Sequence, residues 1–116
     1  MRSYGAFIAC SHADRRWGAR LRRALRRYRP PAGLVGNAAP ARLRPVFLDE
    51  EEFPTSRDLP APLRRALEAS DRLIVICSPH AARSIWIDEE IRAFRAARPG
   101  APILALLVDG EAGGSL

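Results

Sequence analysis

Apolar residues fall into short continuous runs and longer stretches at helical spacing, and the two kinds alternate along the chain. Tyr4–Cys10 is a run that ends at the polar pair Ser11-His12, the profile of a strand buried on both faces. From Asp14 to Tyr28 the residues Trp17, Leu21, Ala24, Leu25 and Tyr28 recur at helical spacing, with arginines on the opposite face. Pro30-Pro31 stops this helix, and residues 32–41, rich in Gly, Ala and Pro, read as a loop. Leu43–Leu48 is a second strand, followed by the acidic run Asp49-Glu50-Glu51-Glu52 and a loop through Arg57. Asp58 is placed to cap a helix marked by Leu59, Leu63, Ala66 and Leu67, with Pro60 and Pro62 in or near its first turn. Leu73–Cys77 is a continuous apolar strand. Ser78-Pro79 opens another helical region, Ser84 caps its main part, and Pro99-Gly100 ends it after about Arg98. Ile103–Val108 is a fourth strand, and a polar tail begins at Asp109-Gly110.

Strands alternating with helices, and strands too apolar to have a wet face, predict an α/β fold: a parallel sheet with helices on both sides. Right-handed crossovers then place every strand-to-helix loop along one edge of the sheet. Ser11-His12, the segment 49–57 and the segment 78–84 lie on that edge, where ligands of open α/β sheets bind.

The last helix carries an anomaly. At 100° per residue from Ser84, Ile87, Ile91 and Phe94 fall at about 300°, about 340° and about 280° and define its buried stripe. Asp88 and Glu89 fall at about 40° and about 140°, off the stripe, and Asp88 has Arg92 at i+4 for a solvated ion pair. Glu90 falls at about 240°, inside the apolar arc, with Trp86 and Phe94 one turn either side. Two readings stay open. Glu90 is a boundary residue whose head reaches water or pairs with an arginine, or it is a carboxylate held beside an indole at the mouth of a cleft, where desolvation raises its pKa.

Composition narrows the class. With 116 residues, 47% hydrophobic and 28% charged, the chain suits one small globular domain. Its longest apolar run, Ile103–Val108, is far below the roughly 20 residues that cross a bilayer. The opening lacks the profile of a secretion signal, so a cytoplasmic location is expected. Cys10 and Cys77 each end an apolar run and read as buried reduced thiols. His12 and His80 without a CxxC leave little for a zinc site, and no metal or cofactor is expected. All 19 basic residues are Arg; the absence of Lys excludes a Walker phosphate loop and Schiff-base chemistry. The net charge of +6 divides unevenly. Residues 1–44 hold eleven Arg and one acid, Asp14, whereas residues 45–116 hold eight Arg and twelve acids. Such a split suggests internal pairing or head-to-tail association between copies.

Four segments together resemble the Toll/interleukin-1 receptor (TIR) domain family, in its bacterial branch. Tyr4-Gly-Ala-Phe-Ile-Ala-Cys-Ser-His-Ala-Asp14 looks like the family's first box, and Pro45-Val-Phe-Leu-Asp49 with its acidic sequel looks like the second strand and BB loop. Leu73-Ile-Val-Ile-Cys-Ser-Pro79 resembles the third strand, and Ser84-Ile-Trp-Ile-Asp-Glu-Glu90 matches the pattern in which Trp precedes Glu by four. Gly5 and Ala9-Cys10 depart from the first box, and the BB region lacks its usual glycine. The resemblance implies a flavodoxin-like three-layer sandwich, with sheet order 2-1-3-4 over a TIR domain at 1–110. Residues 111–116 are then a linker or truncated end, and the family's fifth strand is missing from this sequence. It implies cleavage of NAD+ at the nicotinamide–ribose bond, with Glu90 as the catalytic residue. Substrate contacts carry over onto Trp86, Ser11, His12, Asp49 and Glu51. The expected partners are NAD+, other TIR domains in a head-to-tail oligomer or filament, and a fused sensor domain, in the setting of antiphage signalling.

Nicotinamide leaves NAD+ from a positively charged nitrogen and departs neutral, so the leaving group needs no general acid. One carboxylate, Glu90, then suffices to stabilise an oxocarbenium-like ribose, with Trp86 as an aromatic wall. Three rivals remain: a non-enzymatic TIR scaffold acting by assembly, a receiver-type signalling domain, and nucleic-acid binding by the Arg-rich helix. The receiver requires an acidic pair after the first strand, where this chain has Ser11-His12. Arginines on a solvated helix face account for the basic helix without a nucleic acid.

Overall fold

The computed structural model describes residues 4–27, 45–49 and 59–108. Four strands, β1 (Ala6–Ala9), β2 (Val46–Leu48), β3 (Leu73–Cys77) and β4 (Ile103–Leu107), form one sheet in the order β2-β1-β3-β4. All three pairings are parallel, with Phe7 beside Phe47 and Leu73, and Val75 beside Ala105. This is the fold class and strand order expected from the sequence.

Side chains of β1 alternate between two cores, as a strand buried on both faces requires. Phe7 and Ala9 join Leu73 and Val75 beneath the helices α2 (Ala61–Glu68) and α4 (Ile85–Ala97), which contribute Leu63, Ala66, Leu67, Trp86, Ile87 and Phe94. Ile8 and Cys10 join Val46, Leu48 and Ile76 under α1 (Arg15–Arg27), against which Trp17, Leu21 and Leu25 pack. Phe7 and Phe94 are wholly buried, each stabilising the fold by about 1.5–3 kcal/mol of apolar transfer. Phe47 stacks on Phe7 at 5.0 Å and meets the edge of Tyr4 at 5.3 Å, tying the sheet margin to its centre.

Local chemistry sets the helix boundaries. A 3-10 turn, His12–Asp14, precedes α1, so Asp14 lies ahead of the helix rather than within it. Gly18 is where α1 touches the sheet: a Cβ there would stand 2.8 Å from Leu48 Cδ1 and 3.0 Å from Cys10 Sγ. Gly18 makes the close approach, whereas Ala24, expected on the buried stripe, is exposed. Pro60 precedes α2 and Pro62 sits in its first turn, where a missing N–H costs nothing; the expected cap Asp58 lies outside the described residues. A short helix, α3 (Pro79–Ala82), follows β3, and Ser78 Oγ accepts from Ala81 N at 3.0 Å. Ser84 caps α4 as expected, its Oγ accepting from Ile87 N at 3.1 Å. Gly100, at φ 85°, turns the chain after α4 into β4.

One expectation fails. The fourth strand has wet faces: Leu104, Leu106 and Leu107 are exposed, Leu107 at 83%. Among the described residues the helix α1 packs mainly on β2 and β1, and on the other face the α2–α4 core takes in Ile103 of this strand. Among the described residues β4 pairs with β3 alone.

Candidate functional site

The sheet's carboxyl edge gathers two side-chain clusters. The first is built on Asp14, 1% exposed in the 3-10 turn after β1. Ser11 Oγ donates to Asp14 Oδ2 at 2.8 Å, and Ser78 Oγ, arriving from the end of β3, donates to the same oxygen. Because Ser78 also caps α3, this hydroxyl bridge fixes the loop after β1 against the loop after β3. His12, beside it, is exposed, and Arg15 Nη1 donates to its carbonyl at 3.1 Å. Ser11 and His12 therefore lie on the edge where the sequence places them, on a turn anchored from below.

The second cluster is carboxylic and lies where β2 ends against α4. Asp49, the residue after β2, is 4% exposed. Trp86 Nε1, in the first turn of α4, donates to Asp49 Oδ2 at 2.7 Å, and both groups are buried. Glu90 follows Trp86 by one turn and is wholly buried. Among the described residues neither carboxyl oxygen of Glu90 receives a donor. Two ionised carboxylates cannot hydrogen-bond each other; once one carries a proton, they can. Burial, then the hydrogen bond with Asp49 and that residue's negative charge, push the Glu90 carboxyl well above the usual glutamate range.

Of the two readings of Glu90, the boundary residue reaching water or an arginine is excluded. The helical wheel puts it inside the apolar arc, and its side chain is wholly buried with Asp49, the residue after β2, as a neighbour. Asp88, by contrast, is exposed and pairs with Arg92 at 3.2 Å, and Glu89 is half-buried. The structure thus brings Trp86, Asp49 and Glu90 together and sets Ser11 and His12 in the neighbouring turn; Glu51 lies outside the described residues. Sequence reasoning missed Asp14 and Ser78 as a linked pair. An acid directly before a helix and a serine ending a strand are local signals, but 64 residues separate the two and only the parallel sheet joins them.

A groove of about 540 Å³ lies away from this edge, at the start of β1, lined by Tyr4, Phe47, Pro62, Arg65 and neighbours on α2. It contains none of the cluster residues above, and the convergence of buried carboxyls with an indole makes the carboxyl edge the candidate site. Among the described residues no cluster of His, Cys, Asp and Glu is arranged to hold a metal ion. None of their helices is long and apolar enough to cross a membrane.

Comparison with known proteins adds to the geometry. The family model of the TIR domain matches residues 6–115. Among solved structures, the chain is similar to the TIR domains in the structure of the activated Roq1 resistosome directly recognizing the pathogen effector XopQ, with a TM-score of 0.58 at 20% identity. That alignment covers 95% of this chain and 59% of the other. No curated protein matches the sequence.

Proposed function

The chain belongs to the TIR-domain family, and from that premise we propose that it cleaves NAD+ at the nicotinamide–ribose bond with Glu90 as the catalytic carboxylate. The observation that carries this reading is a wholly buried glutamate with no donor of its own, one turn from a buried tryptophan, at the ligand-binding edge of a parallel sheet. A structural glutamate at such a place would be expected to receive several N–H or O–H donors that hold it ionised, because a buried carboxyl short of donors costs stability.

In the proposed reaction the bond between ribose C1′ and the pyridinium nitrogen breaks. Its electron pair goes to the ring nitrogen, and nicotinamide departs neutral. The ionised Glu90 stabilises the positive ribose, and water adds at C1′ and loses its proton to solvent. The products are nicotinamide, ADP-ribose and a proton. Trp86 offers the ring a flat apolar wall, and Ser11 and His12 stand on the adjoining turn for the ribose hydroxyls and the diphosphate. Asp49 and Glu51 complete the substrate contacts carried over from the family.

Complete burial of Glu90 means that substrate reaches it only when the edge between β2 and α4 opens. Contact between copies of the domain supplies that opening in this reading: the Arg-rich α1 of one protomer meets the acidic run after β2 of the next, head to tail. The domain then serves as the effector module of a larger cytoplasmic signalling protein of the antiphage kind, with assembly as its trigger. The closed Glu90 also favours a second reading, a scaffold that assembles without cleaving anything. Incubating the domain with NAD+, free and tethered as an oligomer, and measuring nicotinamide decides between them. The enzymatic reading requires release that rises more steeply than protein concentration and vanishes in Glu90→Gln. No nicotinamide from the assembled protein leaves the scaffold.

A further inference from the structure

The Ser11 hydroxyl has one proton, and Asp14 takes it. Ser11 Oγ donates to Asp14 Oδ2 at 2.8 Å, and Ser78 Oγ donates to the same oxygen from 64 residues away. We propose that Asp14 is a positioning residue for the candidate site: it fixes the Ser11 hydroxyl as a hydrogen-bond acceptor, so the ligand group received there is a donor, a hydroxyl, and not a phosphate oxygen. This deepens the NAD+ reading and rests on it, giving Ser11 the ribose hydroxyls and not the diphosphate.

A serine hydroxyl has one O–H and two lone pairs, whereas a carboxylate has lone pairs alone. Both protons of the cluster therefore point at Asp14. The lone pairs of Ser78 are used inside the fold, where Ser78 Oγ accepts Ala81 N at 3.0 Å. Ser11 differs. Among the described residues its hydroxyl has no second partner, and it is half-buried on the carboxyl edge, so its lone pairs stay open to a ligand. Donation to a carboxylate polarises the hydroxyl and makes it a stronger acceptor.

A phosphate oxygen at Ser11 requires the opposite arrangement. The hydroxyl must turn its proton away from Asp14, and a carboxylate only 1% exposed then loses a donor that water does not replace. The same contact sets a second anion beside Asp14. Arg15, the next residue, does not offset that charge by contact: it is exposed, and its Nη1 turns to the His12 carbonyl at 3.1 Å. Ser78 holds the carboxylate from the other side. It follows β3 and caps α3, on the path to Ser84 and α4, so one oxygen of Asp14 sets Ser11 relative to the segment that leads to Trp86 and Glu90.

The probes are NAD+, four analogues each with one ribose hydroxyl replaced by fluorine, and inorganic pyrophosphate. Fluorine accepts weakly and cannot donate, so it removes only what an acceptor at Ser11 needs. Calorimetry on the tethered oligomer carrying Glu90→Gln, which leaves the ligands uncleaved, should find one analogue bound about tenfold more weakly than NAD+. Ser11→Ala should weaken NAD+ by a similar factor, erase the difference between NAD+ and that analogue, and leave pyrophosphate affinity unchanged. Asp14→Asn keeps an oxygen for both serines and should keep the preference. Asp14→Ala frees the Ser11 proton and should lose the preference while gaining affinity for pyrophosphate; Ser11→Ala, which leaves Ser78 on Asp14, carries the test if Asp14→Ala does not fold. Proton NMR reads the orientation without ligand: the Ser11 hydroxyl proton should exchange slowly with water in the native chain and in Asp14→Asn. A rapidly exchanging Ser11 proton in the native chain, pyrophosphate binding weakened tenfold by Ser11→Ala, or four analogues that bind as NAD+ does would overturn the proposal. A slowly exchanging Ser11 proton in a protein whose oligomer neither binds NAD+ nor releases nicotinamide would instead remove the NAD+ reading.

Discussion

Replacing Glu90 by Gln should stabilise the protein, by an amount that grows with pH. In the folded chain the Glu90 carboxyl is raised well above the ordinary value of 4.5, by burial first and then by Asp49. Between the unfolded and the folded pKa, the folded state therefore holds one proton that the unfolded state has lost. Stability falls with rising pH wherever the folded state binds more protons, and one proton sets the slope at about 1.4 kcal/mol per pH unit. The stabilising contribution of protonated Glu90 is fully present below the unfolded value and is lost as pH rises through the folded one. Gln is nearly isosteric, has no proton to lose, and can donate its amide N–H to Asp49. The measurement is urea denaturation of native protein and Glu90→Gln across a pH series, taking the difference so that titrating groups not coupled to Glu90 cancel. That difference should be nearly flat below about pH 4, grow at about 1.4 kcal/mol per pH unit above it, and level off once Glu90 ionises in the folded state. A difference independent of pH, or one growing towards acid, would refute both the buried state of Glu90 and its protonation. A residue that costs stability at neutral pH while suiting the chemistry is the pattern expected of a functional site.

Three further outcomes test the surrounding structure. Ser78→Ala removes the α3 cap and one donor to buried Asp14, and should lower unfolding stability by about 2–3 kcal/mol in denaturant titration. Gly18→Val forces a branched side chain against Leu48 and Cys10 and should cost on the order of 2–3 kcal/mol, read as a fall in thermal midpoint. Asp88→Asn and Glu89→Gln lie outside the buried carboxyl pair and should keep most nicotinamide release, measured beside the inactive Glu90→Gln; loss at Glu89 with activity retained at Glu90 would shift the site to another face of α4.

Much of this protein is written in local pattern. Continuous apolar runs at Ala6–Ala9 and Leu73–Cys77 suit strands covered on both faces, and helical spacing between such runs points to a parallel sheet. Ser84 as cap and Pro99-Gly100 as stop are equally local, because a helix end needs a side-chain acceptor or a break in φ at a fixed position. The out-of-place acid on α4 was also visible, since a helical wheel registers any charge within an apolar arc. Its depth was not. A wheel describes one helix, and Glu90 is buried by groups from elsewhere in the chain, Asp49 some 40 residues earlier among its neighbours. For the same reason nothing along the chain announces that Asp49 takes the Trp86 indole N–H or that Ser78 donates to Asp14. Nor did apolar content predict the exposure of β4: Leu104 and Leu107 follow the same pattern as the core strands, and only the placement of α1 and α4 decides which strands are covered. Sequence determined the elements because propensity, capping and periodicity act over a few residues; the tertiary structure decided the site because the charge state of a carboxyl depends on its neighbours in space.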